Sequence, residues 1–113
     1  MSDVIILGPD DEGIGEQLQQ TAVSVAQLDD TPIGEDLIGA GIAEARVLVV
    51  TDIRHASSIP VACEHNNQLQ VIVYTEDSLP PFASAQTDFA LDPHLISVTD
   101  VVDAIVDRLT ETN

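Results

Sequence analysis

Five short apolar runs constrain this chain more than any other feature of it. Val4-Ile5-Ile6-Leu7, Val47-Leu48-Val49-Val50 and Val71-Ile72-Val73-Tyr74 are apolar at every position and mostly β-branched. A weaker run passes through Val23, Val25 and Leu28, and a short one is Phe89-Ala90-Leu91. Runs of this length, bounded by Gly, Pro, Asp and Asn, read as strands. A strand that is apolar on both faces must be covered on both faces, which is the environment of a parallel sheet.

The segments between the runs supply the cover. Gly13 to about Thr21 reads as a helix with Ile14 and Leu18 on one face. Asp30-Thr31-Pro32 is a turn, and a helix follows it through Leu37 and Ile38 to Gly41. Ser57 or Ser58 can cap the next helix, and Pro60 then falls in its first turn, where a missing N–H costs no bond. Asn66-Asn67 ends that helix, and Leu79-Pro80-Pro81-Phe82 opens a short one. The last helix starts at Ser97 with Asp100 as its capping-box partner. Its Val98, Val101, Val102, Ile105 and Leu109 keep i, i+3, i+4 spacing.

Strands alternating with helices over residues 1–113 predict a single α/β domain. The expected form is a small, doubly wound, five-stranded parallel sheet with helices on both faces, Rossmann-like or flavodoxin-like. Right-handed crossovers bring every strand-to-helix loop to the carboxyl edge of the sheet, where a site is expected between the first and third strands.

Composition narrows the setting. The lone Cys63 has no partner for an internal disulfide, which fits a reducing compartment. The start, Met1-Ser2-Asp3, is acidic where a secretory signal is basic. The apolar runs are far shorter than the roughly 20 residues needed to span a bilayer. These features predict a cytoplasmic protein with no membrane insertion.

Acidic residues number 20 against three arginines and no lysine, a formal net charge of −17. The acids are spread along the chain and 44% of residues are hydrophobic, so the pattern is a folded protein with an acidic surface rather than a disordered tail. Such a surface repels itself in dilute buffer, and molar salt removes most of the penalty. A high-salt cytoplasm is therefore expected. Nucleic acid is excluded as a partner because Arg46, Arg54 and Arg108 cannot form a basic patch. Anionic membrane surfaces are disfavoured for the same reason.

The carboxyl-edge loops hold the candidate residues. After the first strand, Gly8 and Gly13 stand where the first and last glycines of a G-x-G-x-x-G fingerprint belong, with Asp10 at the middle glycine. A carboxylate there repels a pyrophosphate, whereas Gly13 would let the first helix pack closely. The alternative is that these glycines only shape a turn. Asp29 or Asp30, ending the second strand, has the place of an acid that bonds a ribose hydroxyl, or is surface charge. Asp10, Asp11 and Asp52 are oxygen donors of the type that holds Mg²⁺. Arg54 is the arginine placed to meet an anion, or it pairs with one of the many acids. Cys63 sits on a packed helix face without an activating group, and His55, His65 and His94 read as surface or capping histidines.

One stretch carries a family resemblance. Asp30-Thr31-Pro32, Leu37, and the run from Ala40-Gly41-Ile42 through Val47–Val50 to Thr51-Asp52 resemble the nucleotide-binding lobe of TrkA-type (RCK) potassium-uptake regulators, and short haloarchaeal proteins of that kind. The resemblance implies a regulatory module that binds NAD(H), ATP or ADP. It also implies that Gly8 and Gly13 border the phosphates and that Thr51 and Asp52 line the adenine side. The chain departs from the family at Asp10 and lacks one βα unit before the Ala-Gly-Ile helix.

A phosphorelay receiver is echoed by Asp10-Asp11, Asp52, Thr75 and Pro93, but Asp92 stands where that chemistry uses lysine. A third reading is a non-catalytic interaction module with a degenerate site, a homodimer through an exposed sheet edge or a partner of another protein.

Overall fold

The computed structural model describes residues 3–21, 23–28 and 34–110. The strands are β1 (Val4–Leu7), β2 (Val25–Leu28), β3 (Val47–Val50), β4 (Gln70–Tyr74) and β5 (Phe89–Leu91). The helices are α1 (Ile14–Gln19), α2 (Gly34–Gly39), α3 (Ser58–His65), α4 (Pro81–Ser84) and α5 (Val98–Thr110). A 3-10 turn over Ile53–His55 precedes α3.

The sheet runs in the order β2-β1-β3-β4-β5, and every neighbouring pair is parallel. This is a doubly wound sheet of flavodoxin-like order, with its switch point between β1 and β3. Alternate residues of the inner strands feed two cores. Ile5, Leu7, Leu48, Val50, Val71 and Val73 pack with Leu37 of α2, Ile59 and Ala62 of α3 and Ala83 of α4. Val4, Ile6, Val47, Val49 and Ile72 pack with Ile14 and Leu18 of α1 and with Val101, Val102 and Ile105 of α5. The continuous apolar strands are thus explained by cover from both sides.

Local chemistry sets the joins. α2 ends in a Schellman motif: Ile42 N–H donates to Leu37 O at 3.0 Å and Gly41 N–H to Ile38 O at 3.0 Å, with Gly41 at φ 92°. Leu37 and Ile42 are both fully buried beneath it. The Ala-Gly-Ile sequence is therefore a helix stop that feeds β3. Asn66 closes α3 and ties it to that stop, its side-chain amide donating to Ile42 O at 2.9 Å and Ala45 O at 2.6 Å.

Several boundaries differ from expectation. α1 ends at Gln19, before Thr21, and Val23 lies ahead of β2. Ser57 holds the N-cap position of α3 but has helical φ and ψ and makes no side-chain cap bond, because the preceding 3-10 turn already leads the chain into the helix. Ser97 does cap α5, its hydroxyl accepting from Asp100 N–H at 3.2 Å. The expected turn at Asp30-Thr31-Pro32 lies outside the described residues. β5 is an edge strand, and Phe89 and Ala90 are exposed.

Candidate functional site

At the carboxyl edge, the loops after β1 and β3 touch. Gly8 has φ 114°, and a Cβ there would lie 2.6 Å from Thr51 Oγ1 and 3.1 Å from Asp52 N. Only glycine permits this approach without strain. The Thr51 hydroxyl donates across the gap to Pro9 O at 2.7 Å. On the other side, Gly8 N–H donates to Leu28 O at 2.9 Å and the Gln27 amide donates to Gly8 O at 3.0 Å. Gly8 and Thr51 thus staple three neighbouring strands together.

Asp10 caps α1. One carboxylate oxygen accepts Gly15 N–H at 3.0 Å, and the Asp10 carbonyl accepts Gly13 N–H at 3.0 Å. The carboxylate fills the helix end that a phosphate would use. Gly13 is required by its φ of 79°, and nothing lies within 4 Å of its missing Cβ. Close packing of α1 falls instead to Gly15, where a Cβ would lie 3.0 Å from Asp10 Oδ2 and 3.2 Å from Ile6 Cδ1. The expectation that Gly13 serves packing is corrected accordingly.

Asp52 and Arg54 satisfy each other. Arg54 Nη2 lies 2.6 Å from Asp52 Oδ2 and Nε lies 3.0 Å from the same oxygen. Arg54 N–H donates to Asp52 Oδ1 at 2.9 Å. These bonds hold the Asp52 carboxyl down to about 2. The carboxylate is therefore engaged where a phosphoryl acceptor or a cation ligand would need it free. Among the described residues no group of acids, histidines and Cys63 is arranged to hold a metal ion.

Beside these loops lies a cleft of about 270 Å³, bordered by Asp11, Glu12, Thr51, Thr75, Glu76 and His94. Its charge is dominated by carboxylates. His94 bonds Glu76 across it, and that contact raises the imidazole pKa. Tyr74 donates its hydroxyl to Ile96 O at 2.6 Å at the back of the cleft, and burial raises its pKa.

The structure thus brings together Gly8, Asp10, Gly13, Thr51 and Asp52; Thr51, Asp52 and one oxygen of Asp10 are bonded within the chain, and Asp10 Oδ1 is buried without a partner among the described residues. Asp29 and Asp30 lie outside the described residues. His65 and His94 are exposed as expected, but His55 is 3% exposed. It sits in the 3-10 turn between β3 and α3, a position that burial along an irregular segment decides and residue spacing does not reveal. Cys63 packs partly buried against the core, and burial raises its thiol pKa.

A family model described as a family of unknown function, DUF7126, matches residues 4–105. The chain belongs to DUF7126. None of the curated proteins matches it significantly. Two solved structures share the fold of this DUF7126 chain. One is a protein assigned to pilus assembly (CpaE) from Burkholderia thailandensis, 11% identical with a TM-score of 0.58, covering 97% of this chain and 99% of that one. The other is a pilus assembly-related protein from Burkholderia pseudomallei, 12% identical with a TM-score of 0.59, covering 100% of this chain and 92% of that one. At these identities the likeness concerns fold.

Two features of the DUF7126 chain escape a reading that looks only at the carboxyl edge. Several large hydrophobics are exposed: Ile38 of α2 at 55%, Phe82 of α4 at 52%, Phe89 of β5 at 40% and Leu95, ahead of α5, at 81%. Beside Phe89 a groove of about 480 Å³ lies between β5 and α5, lined by the apolar Ile72, Leu91, Ile96 and Val101 and by the charged Asp100, Asp107 and Arg108. At the opposite end of the sheet, Arg46 and Arg108 border a common cleft. Both features depend on α5 returning antiparallel along the sheet, which no local motif reports. Among the described residues no helix is long and apolar enough to cross a membrane.

Proposed function

We propose that this DUF7126 chain is a non-catalytic interaction module of a high-salt cytoplasm, and that it associates with a second copy of itself through the β5 flank. The carrying observation is the edge strand β5, which has a sheet neighbour on one side only and presents Phe89, 40% exposed, beside the groove against α5. An exposed aromatic ring beside a groove offers an interaction surface, and an unpaired edge strand offers main-chain groups to another strand. A two-fold axis beside β5 makes the surface self-complementary.

The carboxyl edge supports the non-catalytic half of the reading. Several of its polar groups are engaged within the chain: one oxygen of Asp10 on α1, Thr51 on Pro9, Asp52 on Arg54, Glu76 on His94. The nucleotide binding implied by the TrkA-type resemblance would require Asp10 to leave the α1 amide. Receiver chemistry would require Asp52 to leave Arg54, and Asp92 offers no cation to a phosphoryl group.

Differential scanning in molar KCl with NAD(H), ATP, ADP, AMP and Mg²⁺–beryllofluoride tests this directly. The module reading predicts no shift with any of them. A ligand at 100 times its dissociation constant would add about 2.7 kcal/mol, which the method resolves easily. Stabilisation by an adenine nucleotide that vanishes in Gly13→Val would instead establish the regulator-like lobe. A beryllofluoride response lost in Asp52→Asn would establish the receiver.

A further inference from the structure

Two of the chain's three arginines share one cleft. Arg46 stands immediately before β3 and Arg108 lies in the last turn of α5, so both reach the amino edge of the sheet. With Gln68, Gln70 and Leu109 they border a space of about 270 Å³. Arg46 Nη2 donates to the main-chain oxygen of Arg108 at 3.4 Å, which holds its guanidinium against the end of α5. The guanidinium of Arg108 lies over the Phe89 ring, 5.1 Å from its centroid. Both cations are therefore oriented by neutral groups.

Among the described residues neither Arg46 nor Arg108 enters an ion pair, although Arg54 does. That is unexpected in a chain with 20 acidic residues to three arginines, where a nearby carboxylate is easily supplied. Two like charges bordering one small space repel, and an anion between them removes the repulsion. A second observation points to the same place. Gln70 carries a buried side-chain oxygen without a hydrogen-bond partner. A half-turn of that amide presents its N–H groups instead, which suits an acceptor ligand.

We propose that the amino-edge cleft binds an oxyanion, a phosphate or carboxylate group held between Arg46 and Arg108 with the Gln70 amide as a neutral donor. Guanidinium forks match the planar geometry of such groups and form charge-assisted bonds to them. Chloride, a spherical ion, cannot use the fork in the same way, so selectivity for oxyanions survives in molar chloride. The site stands at the other end of the sheet from the loops of the carboxyl edge, and it meets the β5 flank where Arg108 lies on Phe89.

Side-chain NMR tests it with the intact chain. Three arginines give three Nε–Hε signals, assigned by Arg46→Lys, Arg54→Lys and Arg108→Lys. Inorganic phosphate and succinate are titrated separately in molar KCl. The Arg46 and Arg108 signals should move together along one saturating curve while the Arg54 signal stays fixed. Saturation with phosphate identifies a phosphoryl ligand, and saturation with succinate alone a carboxylate. Arg46→Gln, which leaves the backbone spectrum of the fold intact, should weaken the binding about tenfold. Linear drift of all three signals would mean general screening and overturn the proposal, as would no movement with either anion. A shift of the Arg46 signal with protein concentration alone would also overturn it, since a second copy would then fill the cleft, whereas Arg108 lies on Phe89 and reports association through β5 as well.

Discussion

The two ends of the sheet use polar groups in opposite ways. At the carboxyl edge, where doubly wound folds place their sites, Asp10, Thr51 and Asp52 all make side-chain bonds within the chain. Asp10 holds α1, Thr51 holds the β1 loop, and Asp52 holds Arg54. At the amino edge and along β5, Arg46 and Arg108 enter no ion pair among the described residues, and the Phe89 ring is part-exposed. In the proposed function the carboxyl edge is scaffold, and the amino edge and β5 are the surfaces a partner uses. A loop that satisfies itself is scaffold, and unmet charge or apolar area is what a partner can use.

That contrast can be broken at the carboxyl edge first, where the largest effect is expected. Gly8→Val must adopt φ 114° and push against Thr51 Oγ1 and the Asp52 backbone. It should destabilise the fold by about 3 kcal/mol in a denaturant titration. A variant of wild-type stability would mean that the β1–β3 staple is loose enough to admit a ligand.

Asp10→Ala removes the acceptor for Gly15 N–H and should cost about 1 kcal/mol in the same titration. If it gains affinity for an anion as stability falls, the carboxylate is a plug in a usable site and the contrast between the two ends narrows.

Smaller effects come from the charge pairs. Asp52 should titrate near 2 by carbon NMR, and Arg54→Gln should return it toward about 4. Because the folded-state value is depressed, the pair's contribution is present above about 4 and is lost as pH falls toward 2. His94 shows the reverse sign. Its pKa is raised chiefly by its bond to Glu76, so that contact stabilises below the unfolded histidine value and fades as pH rises through the folded one. Glu76→Gln should lower the histidine titration midpoint measured by proton NMR.

Much of the scaffold was legible because its signals are local. β1, β3 and β5 begin and end at the expected residues, since each apolar run is flanked by a polar residue or glycine on both sides. Ala40-Gly41-Ile42 could be read as a helix end because a Schellman motif is written in consecutive residues. The site was less legible. Gly13 and Gly15 look equivalent in a glycine-rich loop, yet one is needed for its φ and the other for contact with Ile6 and Asp10. The pairing of Asp52 with Arg54 was foreseen only as one of two fates for the arginine. The convergence of Arg46 with Arg108, 62 positions apart, and the burial of His55 are products of tertiary packing. No spacing rule contains them.

Sedimentation equilibrium of the wild type and Phe89→Asp across a KCl series tests the central claim most directly. The account predicts a wild-type dimer that strengthens with salt, because screening relieves the repulsion between two chains of charge −17, and a folded Phe89→Asp monomer at the same concentrations. A wild type that stays monomeric throughout, or a Phe89→Asp variant that dimerises as well as the wild type, would contradict it.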